Sequence, residues 1–380
     1  MKITCDRSKL RDGLAVVNNV IPGKSTKPVL ENVCLVATLD AVEILGTDLE
    51  CSVRYRIPVT TQAEGDAGKS GVVRVDEPGI AVVPARVALD FVRDLGGDSV
   101  TLSTQDQTCT IQSGEDQCEL VTMDPEEFPI ISSFGDVQTF SMQGGAFNRL
   151  VSRTAFATAK DAGRYAMHGV LAEVDEMGLK LVATDGRRLA LASAPLEMRP
   201  VDRPRPAIVP AKGMHLFCRV IEDPLEQVHL HFGATQIGLK TKNAEIFARL
   251  IDGEFPRYSA AIPREASNYI EADVETLTQK LRLVANVTGA ETRAVKLKFT
   301  RDELSLTGQT VGRGGARARM DVSFKGDAAE IAFNPDYVLE GFKQAEGALV
   351  KLEFNERTSP GKFTLGENYI YIVMPITVDA

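Results

Sequence analysis

Hydrophobic and polar positions alternate with period two along much of the chain. Cys51, Val53, Tyr55 and Ile57 fall on one face of such a segment, as do Val228, Leu230 and Phe232, and Val350, Leu352 and Phe354. Side chains on a strand point alternately to its two faces, so this pattern predicts half-buried strands. Shorter segments switch to helical spacing. Ala88, Phe91, Val92 and Leu95 recur at i, i+3, i+4 and i+7, and Met214, Phe217, Cys218 and Ile221 do the same ahead of Asp223-Pro224. Leu10, Leu14 and Val17, then Phe147, Leu150, Val151 and Thr154, then Leu277, Leu281 and Val284 give three more. Helices are predicted over 8–19, 84–95, 145–160, 210–221, 274–287 and 335–345, the last opened by Asn334-Pro335, a cap followed by a first-turn proline.

These elements recur in a fixed order. EILGTDLECSVRYRIPV then VVPARVALDFVRDL, KLVATDGRRLALASAPL then IVPAKGMHLFCRVI, and SLTGQTVGRGGARARMDV then AFNPDYVLEGFKQAE each run strand, turn, strand and short helix. Val83, Val209 and Phe333 are 126 and 124 positions apart, and each copy closes on a bulky residue before proline, at Phe128-Pro129, Phe255-Pro256 and Met374-Pro375. A repeat of this length is a domain, which predicts three similar domains over 1–131, 132–262 and 263–380, each with two helices on antiparallel sheets in an α+β arrangement. The turns match at Asp48, Asp185 and Thr310, and the longer spacing from Asp48 to Val83 places an inserted loop in the first copy, about residues 58–80.

With 44% hydrophobic and 25% charged residues the chain has the composition of a folded protein and not of a disordered one. No apolar run is long enough to span a bilayer and MKITCDRSKL is too charged for a signal peptide, so a cytoplasmic location without membrane attachment is expected. The six cysteines form no CxxC pair and are expected to be reduced. Net charge is −9, which taken alone argues against a nucleic-acid partner. Its distribution changes that reading: the six predicted helices together carry +6, with +3 on 145–160 alone, leaving −15 elsewhere. Basic helices on an acidic chain suit a polyanion on the helical side, although short amphipathic helices also carry Lys and Arg as solvated faces.

GTDLE at 46–50, VPAR at 83–86, RYAMHG at 164–169, VATDGRRLAL at 182–191, DGEFPRY at 252–258 and YIVMPI at 371–376 resemble, in order and over the whole chain, the bacterial DNA polymerase III beta sliding clamp family. The resemblance implies a non-catalytic processivity factor without cofactor or metal. It also implies a head-to-tail homodimer whose six domains form a closed ring around double-stranded DNA. Such a ring holds DNA by topology, so a modest positive lining suffices and no base is read.

The same resemblance implies that the polymerase III alpha subunit, the clamp loader, other polymerases and repair proteins dock QLxLF-like motifs between domains two and three. The matching positions are Met167, Thr184, Gly186, Arg187, Arg188, Leu189, Pro256, Asn334, Tyr337, Ile372, Val373, Met374, Pro375 and Ile376. DNA-facing positions implied in this way are Lys24, Arg86, Arg164, Tyr165 and Lys212, and helical charge adds Arg149, Arg153 and Lys160. Subunit-junction positions are Cys118, Leu120 and Val287. The chain departs from the family at Ala260 and Ala261 on the pocket rim, at Thr292, at Asn286 and Cys118 of the junction, and in its ending Thr377 to Ala380.

Three other features carry chemistry in principle. AEGDAGKS, 63–70, fits a relaxed phosphate-loop pattern and would make the chain a nucleotidase, but the mechanism needs a helix after the loop, and GVVRV follows. His229 and His231 share a strand face without a completing ligand. Asp48 and Asp185 sit at matched turns, where hydrogen bonding to the local backbone explains them better than acid–base catalysis.

Overall fold

The computed structural model describes the chain except for residues 61–70, 136, 162, 164, 290–292, 311, 313 and 378–380. The phosphate-loop pattern, Arg164, Thr292 and the last three residues therefore lie outside the described residues. Two compact units result: Met1–Gly145 with Glu197–Asp202 and Lys212–Leu250, and Ala146–Leu196 with Arg203–Ala211 and Ile251–Ala380. The division runs through the middle repeat.

Among the described residues six α-helices are present, α1 (Arg7–Asn18), α2 (Ala85–Asp94), α3 (Gly144–Thr154), α4 (Ala211–Arg219), α5 (Val274–Ala285) and α6 (Pro335–Phe342). They fall where the apolar spacing puts them, with ends that differ by a few residues. The largest difference is at α3, expected to reach 160. Thr154 donates its hydroxyl to the Leu150 carbonyl at 2.7 Å, and a separate 3₁₀ turn follows at Ala155–Ala157. A hydroxyl that bonds back into its own helix weakens and bends the helix end.

Each helix follows a strand and precedes three more, so each repeat is two β–α–β–β–β halves, with the extra short strands Arg74–Glu77 and Ser323–Lys325 ahead of the second half in the first and third repeats. The strand before a helix joins the sheet of the other half. Lys2–Asp6 pairs with Ser99–Gln105, and Gly79–Pro84 with Asn32–Ala37. The exchange recurs for Phe140–Gln143 with Gln227–Phe232, Ala207–Pro210 with Gly169–Asp175, Asn268–Asp273 with Leu349–Phe354, and Ala329–Phe333 with Val295–Phe299. Every pairing among the described strands is antiparallel.

Four-stranded modules then join last strand to last strand. In the first unit Ala244–Arg249 pairs with Cys51–Pro58, making an eight-stranded sheet. In the second, Arg188–Ala194 pairs with Tyr369–Val373 in a nine-stranded sheet. The two remaining last strands, Asp116–Val121 and Gly314–Asp321, are sheet edges. The core lies between helices and sheets, and glycines set its closest approaches. A Cβ on Gly13 of α1 would stand 2.7 Å from the Tyr55 ring, and one on Gly341 of α6 would stand 2.4 Å from the Tyr371 ring.

The cysteines are free thiols, four of them buried. Among the described residues no helix is long and apolar enough to cross a membrane, and no group of three or more metal-ligating side chains gathers. His231 bonds the Gln138 carbonyl at 2.9 Å.

Candidate partner-docking groove and nucleic-acid-facing cations

A turn in the second unit builds the centre of the expected groove. The Thr184 hydroxyl donates to the Arg188 carbonyl at 2.6 Å and accepts from the Gly186 N–H, while the Asp185 carboxylate accepts from the N–H groups of Arg187 and Arg188. Gly186 has φ of +84°, a left-handed conformation that glycine adopts without steric cost. Beside the turn the Met374 N–H donates to the Arg187 carbonyl at 2.8 Å, extending the pairing of strand 369–373 by one residue, and the Ile376 N–H donates to the Ala332 carbonyl of the four-stranded sheet at 2.8 Å. Leu189 and Ile372 are buried with Leu171, Val182 and Ile208, covered by half-buried Ile251, Phe255 and Tyr258.

Around this floor Met374 is 40% exposed, Gly186 and Arg187 are exposed, and Met167, Pro256, Pro375 and Ile376 are half-buried. An exposed methionine beside an apolar floor is an adaptable contact for aliphatic and aromatic side chains. Five of the fourteen expected positions are instead buried: Thr184, Arg188, Leu189, Ile372 and Val373. They lie beneath the exposed and half-buried expected positions. Asn334 caps α6 by accepting from the Asp336 N–H, and Tyr337 accepts the Tyr371 hydroxyl on its backbone carbonyl.

Arg188, expected as a groove charge, is corrected to a buried structural cation, 6% exposed. Its guanidinium lies 4.8 Å from the Tyr337 ring centroid and 5.4 Å from that of Phe156, and it pairs with Asp185 and Glu340. Burial opposes its charge, and the partners overcome that penalty, leaving its pKa raised. Arg153, expected to face DNA, is likewise buried. It lies over the Tyr369 ring at 5.2 Å and 2.7 Å from the Glu346 carboxylate, an ionic contact not aligned as a hydrogen bond. A charge count cannot see such partners, because Glu340 and Glu346 lie far along the sequence. Phe156, in FATAK, carried no signal of its role either.

The other expected cations are on the surface. Lys24, Arg86, Arg149 and Lys160 are exposed, and Tyr165 is 68% exposed. Arg149 stands 4.0 Å from Glu346. Lys212, half-exposed, pairs with nearly buried Asp48, and although burial lowers its pKa that partner raises it on balance. At the expected junction Cys118 is half-buried on edge strand Asp116–Val121, Leu120 is buried beneath it, and Val287 lies half-buried just past α5.

A chain of three such repeats, with the last strands Asp116–Val121 and Gly314–Asp321 left at sheet edges and exposed cations on short helices, is built as a DNA sliding clamp. Family models for the N-terminal, central and C-terminal domains of the DNA polymerase III beta subunit match residues 1–132, 141–257 and 259–376. The chain belongs to the DNA polymerase III beta subunit family. It is 28% identical to the beta sliding clamp of Pseudomonas putida over 99% of this chain and 100% of that one. It is 29% identical to that of Caulobacter vibrioides, covering 100% of both. Among solved structures, the sliding clamp of Pseudomonas aeruginosa bound to griselimycin is 28% identical with a TM-score of 0.91, and the beta subunit of Thermotoga maritima 26% identical with 0.87, each covering 100% of both chains. The protein is a non-catalytic processivity factor that acts with DNA and polymerase partners as a homodimer.

Proposed function

We propose that two copies close head to tail into a ring around duplex DNA, each chain contributing three domains bounded near 1–131, 132–262 and 263–380. The observation that carries this reading is the unfinished pairing rule. Within the chain, last strand meets last strand at Cys51–Pro58 with Ala244–Arg249 and again at Arg188–Ala194 with Tyr369–Val373, which leaves Asp116–Val121 and Gly314–Asp321. Pairing one copy's first edge with the other's second is a heterologous contact, and closure at two copies satisfies both edges of each. Lys24, Arg86, Arg149, Lys160, Arg164, Tyr165 and Lys212 then act as weak phosphate contacts that permit sliding. The working location is the cytoplasm.

Clients dock, in this reading, on the surface around Met374, Pro375, Ile376, Met167, Pro256 and Arg187, over the floor of Leu189 and Ile372. Labelled QLxLF peptide is expected to bind saturably, and Met374→Ala to weaken it about tenfold, near 1.4 kcal/mol. Clamp loaded onto nicked circular duplex should stay bound through gel filtration and be lost on linearisation. Equal escape from both forms would rule out the ring.

A further inference from the structure

The two seams, Cys51–Pro58 with Ala244–Arg249 and Arg188–Ala194 with Tyr369–Val373, share one frame down to single hydrogen bonds. Cys51 faces Ala248 as Arg188 faces Val373. One residue further out, the Arg249 N–H donates to the Glu50 carbonyl at 2.8 Å, as the Met374 N–H does to the Arg187 carbonyl. The turn at Thr47 makes the same threonine bonds as the turn at Thr184, and Phe128-Pro129 closes the first repeat as Phe255-Pro256 closes the second. The places of Met374, Arg187, Gly186 and Pro256 in the second unit are therefore held in the first by Arg249, Glu50, Leu49 and Pro129.

All four of these residues line a cavity of about 330 Å³. Buried Phe247 lies at its floor, paired with half-buried Ser52 where the second seam pairs Ile372 with Leu189. Ile130 stands fully exposed at its mouth. Ser132 and Gln236, bonded to each other, and exposed Thr235 add hydrogen-bonding groups to the wall. The rim carries one charge of each sign, since exposed Glu50 and Arg249 lie opposite one another across the seam, and neighbouring Asp48 is paired with Lys212. Charge cancels there, so apolar contact selects what enters.

Leu49 is a residue that folding does not account for. Its φ of +74° strains any side chain with a β-carbon, its counterpart is Gly186, and it is half exposed beside the cavity. Backbone strain kept under an exposed apolar side chain, next to a second exposed apolar side chain, marks a contact surface.

We propose that this cavity is a second peptide-docking groove, occupied by an extended partner peptide whose aliphatic or aromatic side chains lie among Leu49, Ile130 and Phe247. Hydroxyl and amide groups of the wall suit the main chain of such a peptide. The class of ligand is carried over from the reading of the client groove, on which this proposal rests. Arg249 in place of Met374 and Ser52 in place of Leu189 leave less apolar surface, so the second groove is the weaker of the two.

Methyl NMR of the full-length protein labelled at the isoleucine δ1 carbons, titrated with QLxLF peptide, reads both grooves at once. Ile376 reports the client groove, and Ile130, assigned by its loss in Ile130→Val, reports the second. The Ile130 signal is expected to shift saturably, at higher peptide concentration than Ile376, and to do so equally in Met374→Ala. Leu49→Gly should raise its half-saturation point about tenfold and leave the Ile376 curve unchanged. An Ile130 signal that does not move up to millimolar peptide, that weakens with Met374→Ala, or that is indifferent to Leu49→Gly would overturn the proposal. A saturable Ile130 response with Ile376 silent would support the second groove and refute the client groove, so the two readings fail separately.

Discussion

Leu49 occupies a backbone conformation that suits glycine. Its φ is +74°, against +84° at Gly186 and +78° at Gly312, which stand two residues after Thr184 and Thr310 as Leu49 stands after Thr47. The three threonines, not Asp48, Asp185 and Thr310, are thus the matched turn residues, a shift of one position from the sequence match. Thr47 and Thr184 make the same two bonds, donating to the carbonyl four residues on and accepting from the N–H two residues on. A β-carbon in this region costs about 1 kcal/mol, and Leu49 is 50% exposed, so little burial is lost on its removal. Leu49→Gly is expected to raise stability by about 0.5–1 kcal/mol in urea denaturation; a loss would mean that the side chain holds the turn. At this scale the turn aspartates were legible, because their hydrogen bonds are local. Arg153 and Arg188 were not, because a buried cation reads like a surface one until its distant carboxylate is placed.

Helix starts follow one design in the first and third repeats. Asp6 caps α1, accepting from the Lys9 N–H at 3.1 Å, and Asp273 caps α5, accepting from Thr276 at 2.7 Å. Burial works against the Asp6 charge, but hydrogen bonds from the Ser8 hydroxyl and the Lys9 and Gly71 N–H groups outweigh it and hold the carboxyl below the usual range. A depressed carboxyl contributes stability above its unfolded value, near 3.9, and loses it as pH falls through the folded one. Asp6→Ala should therefore cost about 1–2 kcal/mol at neutral pH, with the gap to wild type closing as both are acidified below about pH 4. Denaturant midpoints across that range would show it, and a gap independent of pH would assign the cost to packing. Helix existence was legible in the apolar spacing. The strand exchange and the seams were not, since the alternation of a strand that pairs within its repeat is the same as that of one that pairs across repeats.

For the whole molecule, the decisive surface is the pair of last strands left at sheet edges, Asp116–Val121 and Gly314–Asp321. Cys118 on one edge strand and Val287 beside α5 are both half-buried in the single chain. If they meet across the subunit junction, a carboxylate at each brings two like charges together in a low-dielectric contact. Cys118→Asp with Val287→Asp should shift the protein from dimer to monomer in sedimentation at micromolar concentration, with unchanged circular dichroism. A dimer unaffected by the pair would place the junction elsewhere.

The seams also govern how the chain emerges from the ribosome. Strand Arg188–Ala194, RLALASA, completes its hydrogen bonding only with Tyr369–Val373, about 180 residues downstream. At roughly 5–20 residues per second its edge stays open for about 10–35 seconds of synthesis. Through that interval the nascent chain presents an apolar strand with unspent backbone donors and acceptors, the kind of segment that chaperones bind and neighbouring nascent chains can capture.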